Sequence, residues 1–523
     1  MNSYFSAGDW TIILFYLLGI IALGVWFGRD QHNTRDYFLG SRNVPWWGIG
    51  LSIVAAETSA LTIIGVPAMA YGDNLAFLQM IFGYVVARII LAIVLVPHYF
   101  KGEIYSPYEL FGNTFGPAAR QTAGGLFLIS ETLAAGVRVY LASIPVLLML
   151  GDQLLGWGTG DPVLGAILLF VLLSLLYTYI GGVKAVIWTD AAQFGLFLLG
   201  GVFALCFIPS LVAGGASEVF SRAAAAGKLH WLNALPPKGT PLGTFLLSPP
   251  FNLWMGLIGG TVQVLSSHGA EQLIVQRVLA CKSVAEGRKA LTLSAVIIFP
   301  LFLVFLLVGA MLWVFYQGHP FQIPLPESRP GIKANDFVFP IFIMTEVPHL
   351  LKGFLIVAIL SAAMSSVSSA LTSLASVSTM DFVRHVLPSR NERFFLRFSK
   401  ASTVGWAAVL ILVAYLSRQV EFVLNAAFSL RGLTSGALVG GLALAVFWRR
   451  SRALPIVAGM LASLVIMIGI QTLPKLAATR EWWSRVIGPE IYWPWYTLIG
   501  LVITVTTAYL VRATVKKVSL RSS

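Results

Sequence analysis

Between Ser361 and Ala370 the chain reads SAAMSSVSSA, five serines among small and apolar residues, inside an apolar segment spanning roughly residues 351–380. With no glycine or proline to interrupt it, this segment is expected to be helical. On a helix Ala362, Ser365 and Ser366 fall at i, i+3 and i+4, and so do Ser365, Ser368 and Ser369. The result is one oxygen-bearing stripe about two turns tall. Oxygens without formal charge suit a hard monovalent cation, by analogy with the oxygen ligation of other hard cations. The competing reading is close helix packing, which small residues serve in membranes. Six charged residues lie within other apolar runs: Glu57, Glu131, Asp190, Arg88, Arg138 and Arg431. A charge at such depth costs several kcal/mol and faces a cavity or a partner, so these six form a functional shortlist.

The elements that must position these groups follow from composition. Of 523 residues, 57% are hydrophobic and only 11% charged, against about 25% charged in soluble domains. The chain is therefore expected to be an all-α polytopic membrane protein. Apolar runs of spanning length fall near 10–28, 45–70, 76–98, 119–150, 162–182, 187–212, 245–268, 291–316, 351–380, 400–417, 421–447, 454–471 and 492–511, about thirteen transmembrane helices. With the first loop placed in the cytoplasm, 22 basic residues fall on the cytoplasmic side and nine on the other. The positive-inside rule then puts the N-terminus outside and the C-terminus in the cytoplasm of a cell (plasma or inner) membrane. The net charge of +13 is spread over inter-span loops, so no nucleic-acid partner is expected. Cys206 and Cys281 make no disulfide framework or metal-ligand spacing. The first apolar run lacks a preceding basic region and reads as a retained helix.

Two spans look interrupted. The second carries AAETSALTIIG, Ala55 to Gly65, followed by Pro67; the seventh carries Gly259-Gly260, then Gln263, Ser266, Ser267 and His268. Interrupted spans five apart suggest two five-helix halves, 44–215 and 245–448, with solute bound at the breaks. Residues 1–30 would be a flanking helix, and 453–523 two C-terminal helices with a short tail.

Four stretches carry a resemblance: DYFLGSRNVPWWGIGLSIVAAETSA (Asp36 to Ala60), GGVKAVIWTDAAQ (Gly181 to Gln193), EQLIVQRVLACKS (Glu271 to Ser283) and the serine patch. In this order they resemble the sodium/solute symporters, carriers of sugars, proline, iodide, monocarboxylates and sialic acid. The resemblance implies a leucine-transporter-type five-plus-five inverted repeat with flanking helices. It implies a first sodium held by the carbonyls of Ala55, Thr58 and Ala362 and the hydroxyls of Ser365 and Ser366. It implies a second held by Asp190 with Ser365, Ser368 and Ser369, although Asp190 also suits a cap on a helix starting near Ile187. Leu61-Thr62 stands where galactose-type carriers have an acid and an amide, and the eighth span lacks their lysine. Ser59, Thr62, Gln79 and Arg138 suit a solute with a carboxylate and hydroxyls, as in the sialic acid carriers. Arg138 is equally a partner for Glu131, seven residues away on the same face, or for Glu57. Gln79, near its span's start, is alternatively a loop-facing amide.

The expected function is sodium-coupled import of a small polar solute, a carboxylate such as sialic acid or another organic acid, by alternating access with two sodium ions. The alternative is a sugar-type cotransporter with one sodium. Na+ is the only cofactor-like species called for, and solute, sodium and lipid bilayer are the partners. No metalloprotease, nucleophile-elbow or phosphate-loop motif points to an enzyme. No TVGYG-like filter points to a channel. A membrane-embedded solute sensor is disfavoured, since about a dozen residues follow the last span and leave no room for a signalling domain.

Overall fold

The computed structural model describes residues 4–27, 33–40, 44–59, 61–101, 104–151, 153–154, 160–329, 332–419, 423–448 and 452–521. Ser41, Arg42, Asn43 and Ala60 of the Asp36–Ala60 stretch, and Arg29, Arg449 and Arg450 of the charge count, lie outside these residues. Within them the regular structure is helical but for two short antiparallel strands, Glu327–Arg329 and Ile332–Lys333. Among the described residues ten helices are long and apolar enough to cross a membrane, or eleven when the bent pair Trp46–Glu57 and Thr62–Gly72 counts as one span.

The thirteen expected spans differ from this number for two physical reasons. Helix Pro162–Ser210 is 49 residues long, roughly 74 Å at 1.5 Å per residue and more than twice a bilayer's core. It breaks at Gly182, where φ is 57° and ψ −165°, so its two arms are the fifth and sixth expected spans. The seventh is short: a π-helical turn, Met255–Gly260, runs straight into helix Thr261–Gly269. Its glycine pair was expected to mark a break and instead belongs to a packing surface. A Cβ on Gly83 would strike the Gly256 carbonyl, and one on Gly256 the Gln79 carbonyl. Helix 78–99 and the 255–269 segment therefore touch backbone to backbone.

The serine helix, Leu351–Val386, is the most enclosed span, buried along nearly all its length against helices 162–210 and 117–150. Tyr177 of the 162–181 arm donates to the Met364 carbonyl at 3.0 Å. The N-terminal end of the serine helix is capped from another helix. Buried Asp9, on helix Ala7–Phe27, accepts from the amides of Leu350 at 2.8 Å and Gly353 at 3.1 Å, and from His349 Nδ1 at 2.7 Å. This satisfies amides that a helix start leaves without partners. It also holds Leu350 at a φ of 70°, where a branched side chain is strained. Asp9→Ala should therefore cost about 1–3 kcal/mol, read as a lower melting temperature of the purified protein; an unaltered melting curve would show that the cap is dispensable.

At the other end of this helix, Asp381 meets Arg120 Nε at 2.6 Å and Ser106 Oγ at 2.8 Å. Arg120 also reaches Glu109 at 3.2 Å. Burial pushes the Glu109 carboxyl up to about 7, against the opposing pull of Arg120.

Candidate functional site

Helix Trp46–Glu57 stops at Thr58, whose ψ of 88° leaves the helical region. In a continuous helix the amides of Ser59 and Thr62 would reach the carbonyls of Ala55 and Thr58. Here they turn to the Glu57 carbonyl at 3.1 Å and the Ser59 carbonyl at 2.8 Å. The carbonyls of Ala55 and Thr58 so lose their helical partners while both residues are buried. Oxygens in that state at membrane depth call for a new partner, and a cation supplies one.

On the serine helix the hydroxyl hydrogens are turned inward. Ser366 donates to the Ala362 carbonyl at 3.2 Å, and Ser368 and Ser369 to the Ser365 carbonyl at 3.0 and 2.6 Å. Ser365 donates to Asp190 Oδ1 at 2.6 Å. Each hydroxyl with its hydrogen so placed presents lone pairs, which is what a cation takes. Asp190 lies at the centre of a closed network. Its Oδ2 accepts from Ser52 at 2.6 Å and from Arg277 Nη2 at 2.8 Å; Arg277 also donates to Ser52 at 2.8 Å and to Ser369. Both members of the pair are buried. Arg277 is one of the 22 basic residues that the sequence puts on the cytoplasmic side. It belongs to helix Gln272–Leu279, every residue of which is buried, so it is packed inside the protein rather than solvated in a loop. Asp190 does not cap a helix start, since it lies well inside helix 162–210.

Beside the broken span lies a cavity with about 740 Å³ of space not filled by protein atoms, part of it continuous with solvent. Six of the eight residues expected to bind solute line it: Ser59, Thr62, Arg138, Gln263, Ser267 and His268. The other two do not. Gln79 is buried and clasps the loops, donating to the carbonyls of Ala76 and Phe251, both at 3.1 Å, and accepting from the Asn233 amide at 2.9 Å. Ser266 sits on the opposite helix face from the cavity and donates to the Ser435 carbonyl at 2.8 Å. Gln263 and Ser267, four residues apart, share the inward face of helix 261–269.

Apart from Asp190, the embedded charges fall into two clusters at this wall. Glu57 pairs with Arg88, and His268 Nε2 lies 3.1 Å from Arg88 and 3.5 Å from Glu57. Arg431 bridges Glu131 at 2.8 Å and Glu271 at 2.7 Å. Arg138 has a longer contact with Glu131, at 3.5 Å, and Glu57 is not its partner. Arg431, Glu57 and Tyr84 line the cavity without having been named as solute ligands, as do Phe302 and Phe428, whose rings add apolar wall. Arg431 and Glu57 were visible in the sequence as charges inside spans; Glu271 falls between the expected spans 245–268 and 291–316 and so was not marked as embedded. Among the described residues no cluster of three or more histidine, cysteine or acidic side chains could hold a metal ion. The oxygen sets on the broken span and serine helix are of a different kind, suited to an alkali cation.

The family model for the sodium:solute symporter family matches residues 37–463. The sodium/sialic acid symporter of Proteus mirabilis is 30% identical over 474 residues, covering 88% of each chain. Human sodium-coupled monocarboxylate transporter 1 is 28% identical, covering 90% of this chain and 75% of its own. Among solved structures, the substrate-bound outward-open state of a Na+-coupled sialic acid symporter aligns with a TM-score of 0.81 at 25% identity over 97% of both chains. A nucleobase-cation-symport-1 family transporter in a closed conformation gives 0.55 at 14% identity over 92% of this chain, a likeness of fold alone. With the broken second span, the serine helix and this match over most of its length, the chain belongs to the sodium:solute symporter family and is a sodium-coupled carrier of the leucine-transporter type.

Proposed function

We propose that this carrier imports a carboxylate-bearing organic solute, sialic acid or a related organic acid, together with two sodium ions. The observation that carries the reading is the state of Arg138. Arg88 and Arg431 are engaged closely by acids, whereas among the described residues Arg138 has only its 3.5 Å contact with Glu131, and it lines the cavity. A guanidinium with spare donors is suited to a carboxylate. The named sialic acid and monocarboxylate carriers among the relatives support an anionic solute. Ser59, Thr62, Gln263 and Ser267 would meet its hydroxyl and carbonyl oxygens. The first sodium would use the carbonyls of Ala55, Thr58 and Ala362 with Ser365 and Ser366; the second, Asp190, Ser365, Ser368 and Ser369. The two five-helix repeats would be 44–215 and 245–448, in a cell membrane with the N-terminus outside and the C-terminus cytoplasmic.

Energetics favour two ions for an anion. One sodium with a monoanion is electroneutral, and a tenfold gradient then supplies ~1.4 kcal/mol, a tenfold accumulation. A second sodium brings a further ~1.4 kcal/mol and ~2.3 kcal/mol from 100 mV, raising accumulation to roughly a few thousandfold. One observation favours a single ion: Asp190 already has a cation partner in Arg277. Uptake by proteoliposomes under an imposed sodium gradient tests both points. Saturable, sodium-dependent uptake with a Hill slope near two is expected, falling towards one in Asp190→Asn. A slope of one in the unaltered protein would remove the second site.

A further inference from the structure

Arginine donates hydrogen bonds and accepts none. Arg88 Nη2 lies 3.1 Å from His268 Nε2, so in the neutral imidazole Nε2 accepts and the proton resides on Nδ1. If the ring is protonated, both nitrogens carry hydrogen. In either state Nδ1 is a donor, and its partner is Ser267 Oγ at 2.9 Å. The Ser267 oxygen thus accepts, and its own hydrogen must be given elsewhere. Helical serines commonly give it to a carbonyl one turn back, as Ser361 does to Val357 at 2.6 Å. No such bond runs from Ser267 to the carbonyls of Gln263 or Val264, and Ser267 is half-buried in the cavity wall. One turn back on the same face, Gln263 Oε1 accepts from Tyr84 at 3.3 Å, leaving its amide hydrogens as donors. The charged groups facing His268 are Arg88 on helix 78–99 and Glu57 on the broken span, with Arg431 of the 423–447 helix in the same wall.

We propose that the Ser267 hydroxyl is an obligate donor to the solute, held in that role by an Arg88–His268 relay, so that the solute must place an acceptor oxygen of a carboxylate, carbonyl or ether at this wall. His268 is then a positioning residue that need not touch the solute. The inference rests on the cavity being the solute site, and it sharpens that reading: the wall formed by Arg138, Gln263 and Ser267 offers donors, and an ammonium group finds no welcome there.

The test uses the full chain in proteoliposomes, with radiolabelled N-acetylneuraminate and lactate as probes and the better-transported one carried forward. Ser267→Ala should raise the half-saturating concentration about five- to tenfold, the loss of one hydrogen bond, with maximal rate little altered. His268→Gln keeps an acceptor for Arg88 but loses the donor at Nδ1, and should match Ser267→Ala. His268→Asn, whose amide nitrogen can stand near the Nδ1 position, should recover most of that loss. The double variant Ser267→Ala/His268→Gln should be no worse than Ser267→Ala alone. Additive effects, or a failure of His268→Asn to rescue, would overturn the relay. If Arg138→Gln raises the half-saturating concentration and Ser267→Ala does not, the donor assignment falls while the solute site stands. If neither does, or if the unaltered protein transports neither probe, the inference falls with the reading beneath it.

Discussion

Arg138→Gln should abolish sodium-driven uptake of an anionic solute, by at least about a hundredfold in the ratio of maximal rate to half-saturating concentration, or ~2.7 kcal/mol. Glutamine is shorter and keeps some hydrogen bonding but not charge, and it leaves a desolvated carboxylate without a counterion. The fold should tolerate the change. Glu131, the acid near Arg138, is held more closely by Arg431, at 2.8 Å against 3.5 Å, so the melting temperature should move little. Arg138→Lys should restore only part of the activity, since an ammonium lacks the planar fork that meets both carboxylate oxygens. Uptake that survives in Arg138→Gln would assign Arg138 to the Glu131 cluster and leave the solute's charge to be met elsewhere.

The second large effect is expected at Arg277. Arg277→Gln leaves Asp190 buried with two serine donors and no cation, and breaking a buried pair in this way costs about 3–5 kcal/mol. In potassium or choline buffer the variant should melt well below the unaltered protein. Sodium should restore more stability to the variant than to its parent, because the freed carboxylate, beside the hydroxyls of Ser52 and Ser365, now seeks a cation. Arg277→Gln/Asp190→Asn should recover much of the stability and lose the sodium response. A variant whose melting is equally insensitive to sodium would exclude a second ion at Asp190.

What the sequence disclosed and what it concealed divide along a physical line. The serine stripe, the broken second span and six residues of the cavity wall were legible because each breaks a local rule: oxygens, charges or polar runs in apolar helices. Arg277 was concealed because a basic residue just after a span ordinarily belongs to the cytoplasmic face. The signal that could have found it was the company it keeps. Leu273, Ile274, Val275, Val278 and Leu279 make an unusually apolar loop, and a fully buried Asp190 calls for a cation. Gln79 went the other way. Its position near a span start was equally compatible with a loop-facing amide, and its bonds to Phe251 and Asn233 place it there. Gly259-Gly260 illustrates a third limit, because glycine marks both breaks and close approaches and only the neighbouring backbone distinguishes them. Residues that are distant in sequence, such as Arg431 with Glu131 and Glu271, could be recognised singly as costly but not joined.

The bare-backbone contact between helix 78–99 and the 255–269 segment has a mechanical meaning. With no side chain between the Gly83 and Gly256 backbones, there is nothing to rotate out of the way and no slack to compress. So close an approach is consistent with the two segments moving as a single body in any rocking that opens the cavity to one face of the membrane. The bending must then be absorbed where the chain has already left helical geometry. Two such points flank the cavity and the serine helix: Thr58, with its ψ of 88°, and Gly182, with its φ of 57°. A carrier built this way would have its pivots in the backbone and its rigid arms in the glycine contacts.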